Sequence, residues 1–139
     1  MKINVFVTQI SSERLWGLET PFPPQVQISL NVNILGLERK GESLLDAPFI
    51  FSVNFTPSIA QISIKGNGHL AGEKVEIDNV FAEYDKNKTP PPQLVQAISS
   101  MAMADSILVS KILGVPPPLP PISPPPSQQK AEFKPKYTM

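Results

Sequence analysis

Cysteine is absent from the 139 residues, which excludes disulfides, thiolate nucleophiles and cysteine-ligated zinc or iron–sulfur sites. Histidine occurs once, at His69, and arginine twice, at Arg14 and Arg39. A nucleic-acid interface draws on clustered Arg and Lys interleaved with stacking aromatics, and the body of the chain has no basic stripe. Only 17% of residues are charged, and twelve basic residues cancel twelve acidic ones. No net field therefore steers the chain toward a polyanion or an anionic bilayer. No apolar run approaches the roughly 20 residues that cross a membrane. Met1-Lys2-Ile3-Asn4-Val5 alternates apolar and polar residues, which speaks against a signal peptide. These absences point to a cytoplasmic protein with no nucleic-acid partner and no membrane insertion.

Motifs for chemistry are scarce as well. A Ser–His–Asp relay needs a nucleophile and an orienting carboxylate close to the imidazole, and nothing in the sequence places either one beside His69. The surrounding Lys65-Gly66-Asn67-Gly68-His69 lacks the lysine–hydroxyl pair of a phosphate-binding loop. It reads instead as a strand end or turn, with Gly66 and Gly68 permitting a bulge or bend in the fourth strand. The carboxylate pairs Glu76/Asp78 and Glu83/Asp85, next to Lys86 and Lys88, read as a solvated rim and not as a metal site. The expectation is a protein that is not an enzyme, with no catalytic residues, metal or cofactor.

Proline is abundant, and its placement organises the chain. Nine of the 17 prolines lie after Gly114. The run Pro116-Pro117-Pro118-Leu119-Pro120-Pro121 must end any helix, because proline lacks the N–H donor and clashes with the preceding turn. The chain divides into an α+β domain over residues 1–122 and a proline-rich, lysine-bearing extended tail over 123–139.

Within the domain the first half is written in period two. Ile3, Val5 and Val7 share one face, with Phe6 and Ile10 on the other. Val26, Ile28, Leu30, Val32 and Ile34 alternate with polar residues, as do Phe49, Phe51, Val53 and Phe55, and then Ile62 and Ile64. One buried and one wet face describe antiparallel strands. Pro21-Phe22-Pro23-Pro24 reads as a stiff crossing loop, Arg39-Lys40-Gly41-Glu42 as a charged turn and Thr56-Pro57-Ser58 as a tight one. The expectation is a four-stranded antiparallel sheet.

After the strands the period changes. Ile77, Val80, Phe81 and Tyr84 fall on one side of a short helix over 76–84, and Pro90 to Pro92 open a long helix over 93–113. Its apolar residues cover far more than the roughly 100° stripe of a surface helix, so part of it needs a second partner, and a homo-oligomer (dimer or tetramer) supplies one. Trp16 and Phe22 in the crossing loop and Met101 on the helix are candidates for an adaptable apolar binding surface.

Alternating strands, an aromatic-bearing crossing loop before Pro24-Gln25-Val26-Gln27-Ile28-Ser29-Leu30, and a helix Ile98 to Leu113 that ends in Gly114 and a proline/leucine segment resemble the SecB-type export chaperones. The resemblance covers residues 3–122. It implies dimers or dimers of dimers, and an apolar groove between sheet and helix that holds unfolded polypeptide without nucleotide hydrolysis. It implies Trp16, Phe22, Leu119 and Ile122 as lining residues. The chain differs from that family in its neutral charge and in a proline-rich tail where a closing helix stands. The leading reading is thus an ATP-independent holdase for unfolded polypeptides. The alternative is a structural subunit or adaptor of a larger complex, docking through Pro124, Pro125, Pro126, Phe133 and Tyr137 as an extended linear ligand.

Overall fold

The computed structural model describes residues 1–118. An antiparallel sheet is backed on one face by two helices. Its strands are β1 (Lys2–Arg14), β2 (Gln27–Ile34), β3 (Glu38–Gly41), β4 (Leu44–Thr56) and β5 (Ala60–Ala71), followed by α1 (Lys74–Asn87) and α2 (Pro92–Leu113). The order across the sheet is β1-β5-β4-β2, with β3 pairing the start of β4. Among the described residues no helix is long and apolar enough to cross a membrane.

The sheet has five strands where the period-two pattern predicts four. The additional strand is β3, in the segment read as a charged turn. β4 is longer than β2, and Ile34 pairs with Phe49, so Leu44 to Asp46 have edge positions to fill. Glu38 and Arg39 pair there with Asp46 and Leu45. The strand is polar and exposed throughout, so it carries no hydrophobic alternation to read. Arg39 fixes it: its guanidinium donates to the Gly41 and Glu42 carbonyls at 3.0 Å each and pairs with Asp78 of α1 at 2.6 Å. The Arg39 guanidinium, and then the Lys74 ammonium, hold the Asp78 carboxyl below its ordinary value of 3.8.

The core lies between the sheet and the helices. Leu45, Ala47, Phe49, Phe51, Val53 and Phe55 alternate along β4, and Ile62, Ile64 and Leu70 along β5, all buried on the helix side. Each fully buried large apolar side chain contributes about 1.5–3 kcal/mol. Ile28, Val32 and Ile34 of β2 face the same side and pack on this cluster, as their alternation predicts.

Two glycines in β5 set how closely other elements approach. A Cβ on Gly68 would stand 2.9 Å from Leu94 Cδ1 and 3.1 Å from Ile98 Cδ1, so α2 rests directly on the strand there. A Cβ on Gly66 would overlap the Phe6 carbonyl oxygen and lie 2.9 Å from the Phe49 ring. The irregularity that the glycines were expected to place in their own strand lies in the neighbour instead. The register of β1 against β5 shifts between Val7 and Gln9, leaving Thr8 as the extra residue of a bulge. This bulge corrects the assignment of Phe6 and Ile10 to one face. Phe6 pairs with Asn67 on the open face, whereas Ile10 pairs with Ile64 and stands on the helix side.

The helices are limited by their caps. Glu73 N–H donates to the Glu76 carboxylate at 3.2 Å at the start of α1, and Lys88 closes it in the left-handed region. Pro92 opens α2 in the first turn, where its missing N–H costs nothing. Gly114 (φ 71°) ends α2, with Val115 N–H bonding back to the Ser110 carbonyl at 3.0 Å.

Two outcomes follow from this packing. Gly68→Ala should cost about 1–3 kcal/mol, because flexible side-chain ends must give way. Gly66→Ala meets a backbone carbonyl and should cost more, read as the larger drop in urea midpoint; equal drops would contradict the close approach at Gly66. Separately, a carboxylate with a lowered folded-state pKa adds stability above its unfolded pKa that is lost as pH falls through the folded value. Wild type should therefore lose more thermal midpoint than Asp78→Asn between pH 5 and pH 3.

Candidate functional site

The crossing loop between β1 and β2 is anchored by the residue that ends β1. Arg14 Nε donates to the Trp16 carbonyl at 3.1 Å, and Nη1 reaches the Leu113 and Gly114 carbonyls at 3.1 and 3.2 Å. The last carbonyls of a helix lack intrahelical donors and carry partial negative charge, so one cation closes α2 and fixes the loop together. The same guanidinium lies 4.6 Å from the centre of the Phe22 ring. Leu15 and Trp16 N–H groups both point at the Ile59 carbonyl, at 2.8 and 3.4 Å, which zips the loop onto the β4–β5 turn.

Trp16 and Phe22 are brought together by this arrangement. Their ring centres are 6.2 Å apart at 53°, and both rings are half-buried against the core. Around the same end stand uncovered apolar side chains: Leu15 and Leu18 of the loop, and Leu108 and Ile112 of the last turns of α2. Leu18 is 85% exposed and Ile112 75%, values that mark them as available and not as core. Val115 and Pro118 turn back and are buried, which the reading of this segment as a helix stop did not foresee.

Met101 is not part of this constellation. It lies on the outward face of α2, exposed, about 18 Å along the axis from Leu113 at 1.5 Å per residue. With Leu108 and Ile112 it forms an apolar stripe, since residues seven and eleven apart return to one side of a helix. Leu119 and Ile122, and the tail residues Pro124, Pro125, Pro126, Phe133 and Tyr137, lie outside the described residues. So does the boundary set at 122/123.

A second apolar feature forms where α1 meets α2. Val80, Tyr84 and Pro90 to Pro92 line a hollow of about 500 Å³, with Glu83, Asn79 and Asn87 around it. Lys88 sits 5.9 Å from the Tyr84 ring centre. Glu83 takes part in no ion pair among the described residues. The sequence shows these residues only as a helix end and a helix start; the hollow forms where the end of α1 faces the Pro90–Pro92 turn, an approach that periodicity does not encode.

The acidic rim is partly engaged. Glu76 pairs with the Met1 amine at 3.6 Å, Asp78 with Arg39 and Lys74, and Asp85 with Lys88 at 3.3 Å. His69 does have a carboxylate beside it, contrary to the sequence reading. Its Nε2 stands 3.0 Å from Asp46 Oδ1 on the neighbouring strand, and Asn67 donates to both oxygens of Asp46. Phe6 meets the imidazole edge-on at 5.0 Å. Cross-strand pairing of positions 46 and 69 creates this cluster from residues far apart in sequence. No group of three or more His, Cys, Asp or Glu able to hold a metal occurs among the described residues.

No protein-family model matches the chain, and no curated protein matches it. In three dimensions it is similar to the Mycobacterium tuberculosis SecB-like chaperone Rv1957, solved in complex with a ChAD peptide from the Rv1956 HigA1 antitoxin. The TM-score is 0.52 at 9% sequence identity, over 88% of this chain and 89% of that one. The likeness shows the fold: an α+β, SecB-like arrangement of antiparallel sheet and two helices.

Arg14 provides a direct check on the loop anchor. Arg14→Ala should lower stability by about 1.5–3 kcal/mol, the range for hydrogen bonds to a charged group. It should also shift the emission of Trp16, the only tryptophan, to the red. An unshifted spectrum would contradict the anchoring of the loop by this residue.

Proposed function

We propose that the protein is a non-enzymatic, SecB-like polypeptide-binding protein, an ATP-independent holdase for unfolded segments. The observation that carries this reading is the uncovered apolar surface at the crossing-loop end: Leu18 and Ile112 exposed beside the half-buried pair Trp16 and Phe22. The peptide bound to the structural neighbour supports it, since that protein uses a similar fold to hold a polypeptide.

In this reading an extended client lays apolar side chains across Trp16 and Phe22, and Leu119 and Ile122 are proposed as further client contacts. Burying about 300 Å² of apolar surface gives about 7 kcal/mol gross. Lost freedom of the client offsets part of it, which leaves broad and reversible binding. Arg14 matters here by keeping the two rings in place without itself needing a client contact. Met101, far from this end, belongs to the stripe on α2.

The sheet supports a further proposal, self-association. β1 is an edge strand of 13 residues whose outer backbone groups have no partner strand among the described residues. Such an edge is a template for pairing with another chain, and Phe6 and Ile10 stand exposed along it. We assign it to pairing between two copies.

The test is dilution of several chemically unfolded, unrelated clients into buffer with and without the protein, followed by light scattering. Near-stoichiometric protein should suppress aggregation without nucleotide. Leu18→Ser combined with Ile112→Ser, both at exposed positions, should remove most of that suppression. Absence of suppression by the folded wild type across all clients would overturn the proposal.

A further inference from the structure

The stripe on α2 and the hollow beside α1 are left uncovered by residues 1–118, and the rest of the chain has the length and composition to cover both. The chain leaves the described structure at Pro118, beside the C-terminal end of α2. The hollow lies at the opposite end, against Pro92. The separation is the length of a 22-residue helix, about 33 Å. Extended at the 3.1 Å per residue of a proline-rich segment, residues 119–132 would cover about 43 Å. That length is enough to bring Phe133 to the hollow, and Tyr137 follows four residues later.

Chemistry matches at both stages of that path. Pro120, Pro121 and Pro124 to Pro126 fall within the first eight residues of the segment, the part that would pass Ile112, Leu108 and Met101. Phe133 and Tyr137 are the only aromatic residues beyond Tyr84, and they come due where the lining is Val80, Tyr84 and prolines. Charge agrees as well. α1 carries Glu76, Asp78, Glu83 and Asp85 against Lys74 and Lys86, while the segment beyond Pro118 carries Lys130, Lys134 and Lys136 against Glu132. Glu83, without an ion-pair partner among the described residues, borders the hollow.

We propose that the chain's own C-terminal segment runs back along the uncovered face of α2 and seats Phe133 and Tyr137 in the hollow between α1 and the Pro90–Pro92 turn. With the segment seated, the stripe of α2 is covered from within the same chain. The path and the client surface at the crossing-loop end share Ile112, but the seating of Phe133 and Tyr137 in the hollow does not depend on which polypeptides that surface binds.

The absence of native cysteine makes the test clean. Full-length protein carrying Asn87→Cys and Lys134→Cys is oxidised mildly at low concentration, and the products are resolved by mass. Docking predicts a disulfide within one chain. Adding Phe133→Ala and Tyr137→Ala should slow its formation about tenfold, to the rate set by tethering alone at millimolar effective concentration. An unchanged rate in that variant would show a tether without a docked anchor and overturn the proposal. A disulfide formed mainly between two chains would assign the hollow to a second copy and overturn it as well, as would no cross-link at all.

Discussion

Leu94 and Ile98 can settle on β5 because Gly68 presents no side chain beneath them, and the rest of the molecule takes its position from that contact. Placed there, α2 runs over β5 and β1 in the direction of β1, and its end arrives beside Arg14. Ala102, Ser106 and Ser110, four residues apart and buried, keep the helix close to the sheet along its length. A large residue at position 68 would clash with Leu94 and Ile98 and lift this part of the helix from the sheet.

The proposed function rests on incomplete coverage. A helix that is apolar on much of its circumference buries one face on the sheet and leaves Met101, Leu108 and Ile112 outside. A sheet with an unpartnered β1 leaves a second unsatisfied feature, and the crossing loop a third. Exposed apolar groups carry a cost in water that a partner relieves. The three features differ in kind. The edge offers backbone hydrogen bonds in register, the α2 stripe offers a narrow apolar track, and the loop end offers rings and aliphatic side chains of mixed orientation. Only the last has the mixed chemistry that the proposed holdase role would require.

Much of the fold was legible because burial repeats at the period of each element. The alternation in Val26 to Ile34 and Phe49 to Phe55, and the 77/80/81/84 face of α1, appear in the structure, except that Leu30 of the first set is left 39% exposed. β3 was not legible, since a strand exposed on both faces has no alternation. The face of Ile10 was misread because one bulged residue, Thr8, inverts every position after it. At the site, Trp16 and Phe22 were visible as large apolar residues in a loop. Arg14 was not, because its partners lie about 100 positions away, and neither was the Asp46–His69 contact, which depends on strand register. The hollow at Tyr84 was hidden for a similar reason: it is made where the end of α1 faces the Pro90–Pro92 turn.

The most direct measurement is amide hydrogen exchange of the full-length protein with and without a permanently unfolded polypeptide. The account predicts slowed exchange in the crossing loop, residues 15–26, and around the end of α2 and the segment after it, residues 108–122, with the open sheet face unchanged. Slowed exchange confined to the open face, or none anywhere at saturating polypeptide, would contradict it.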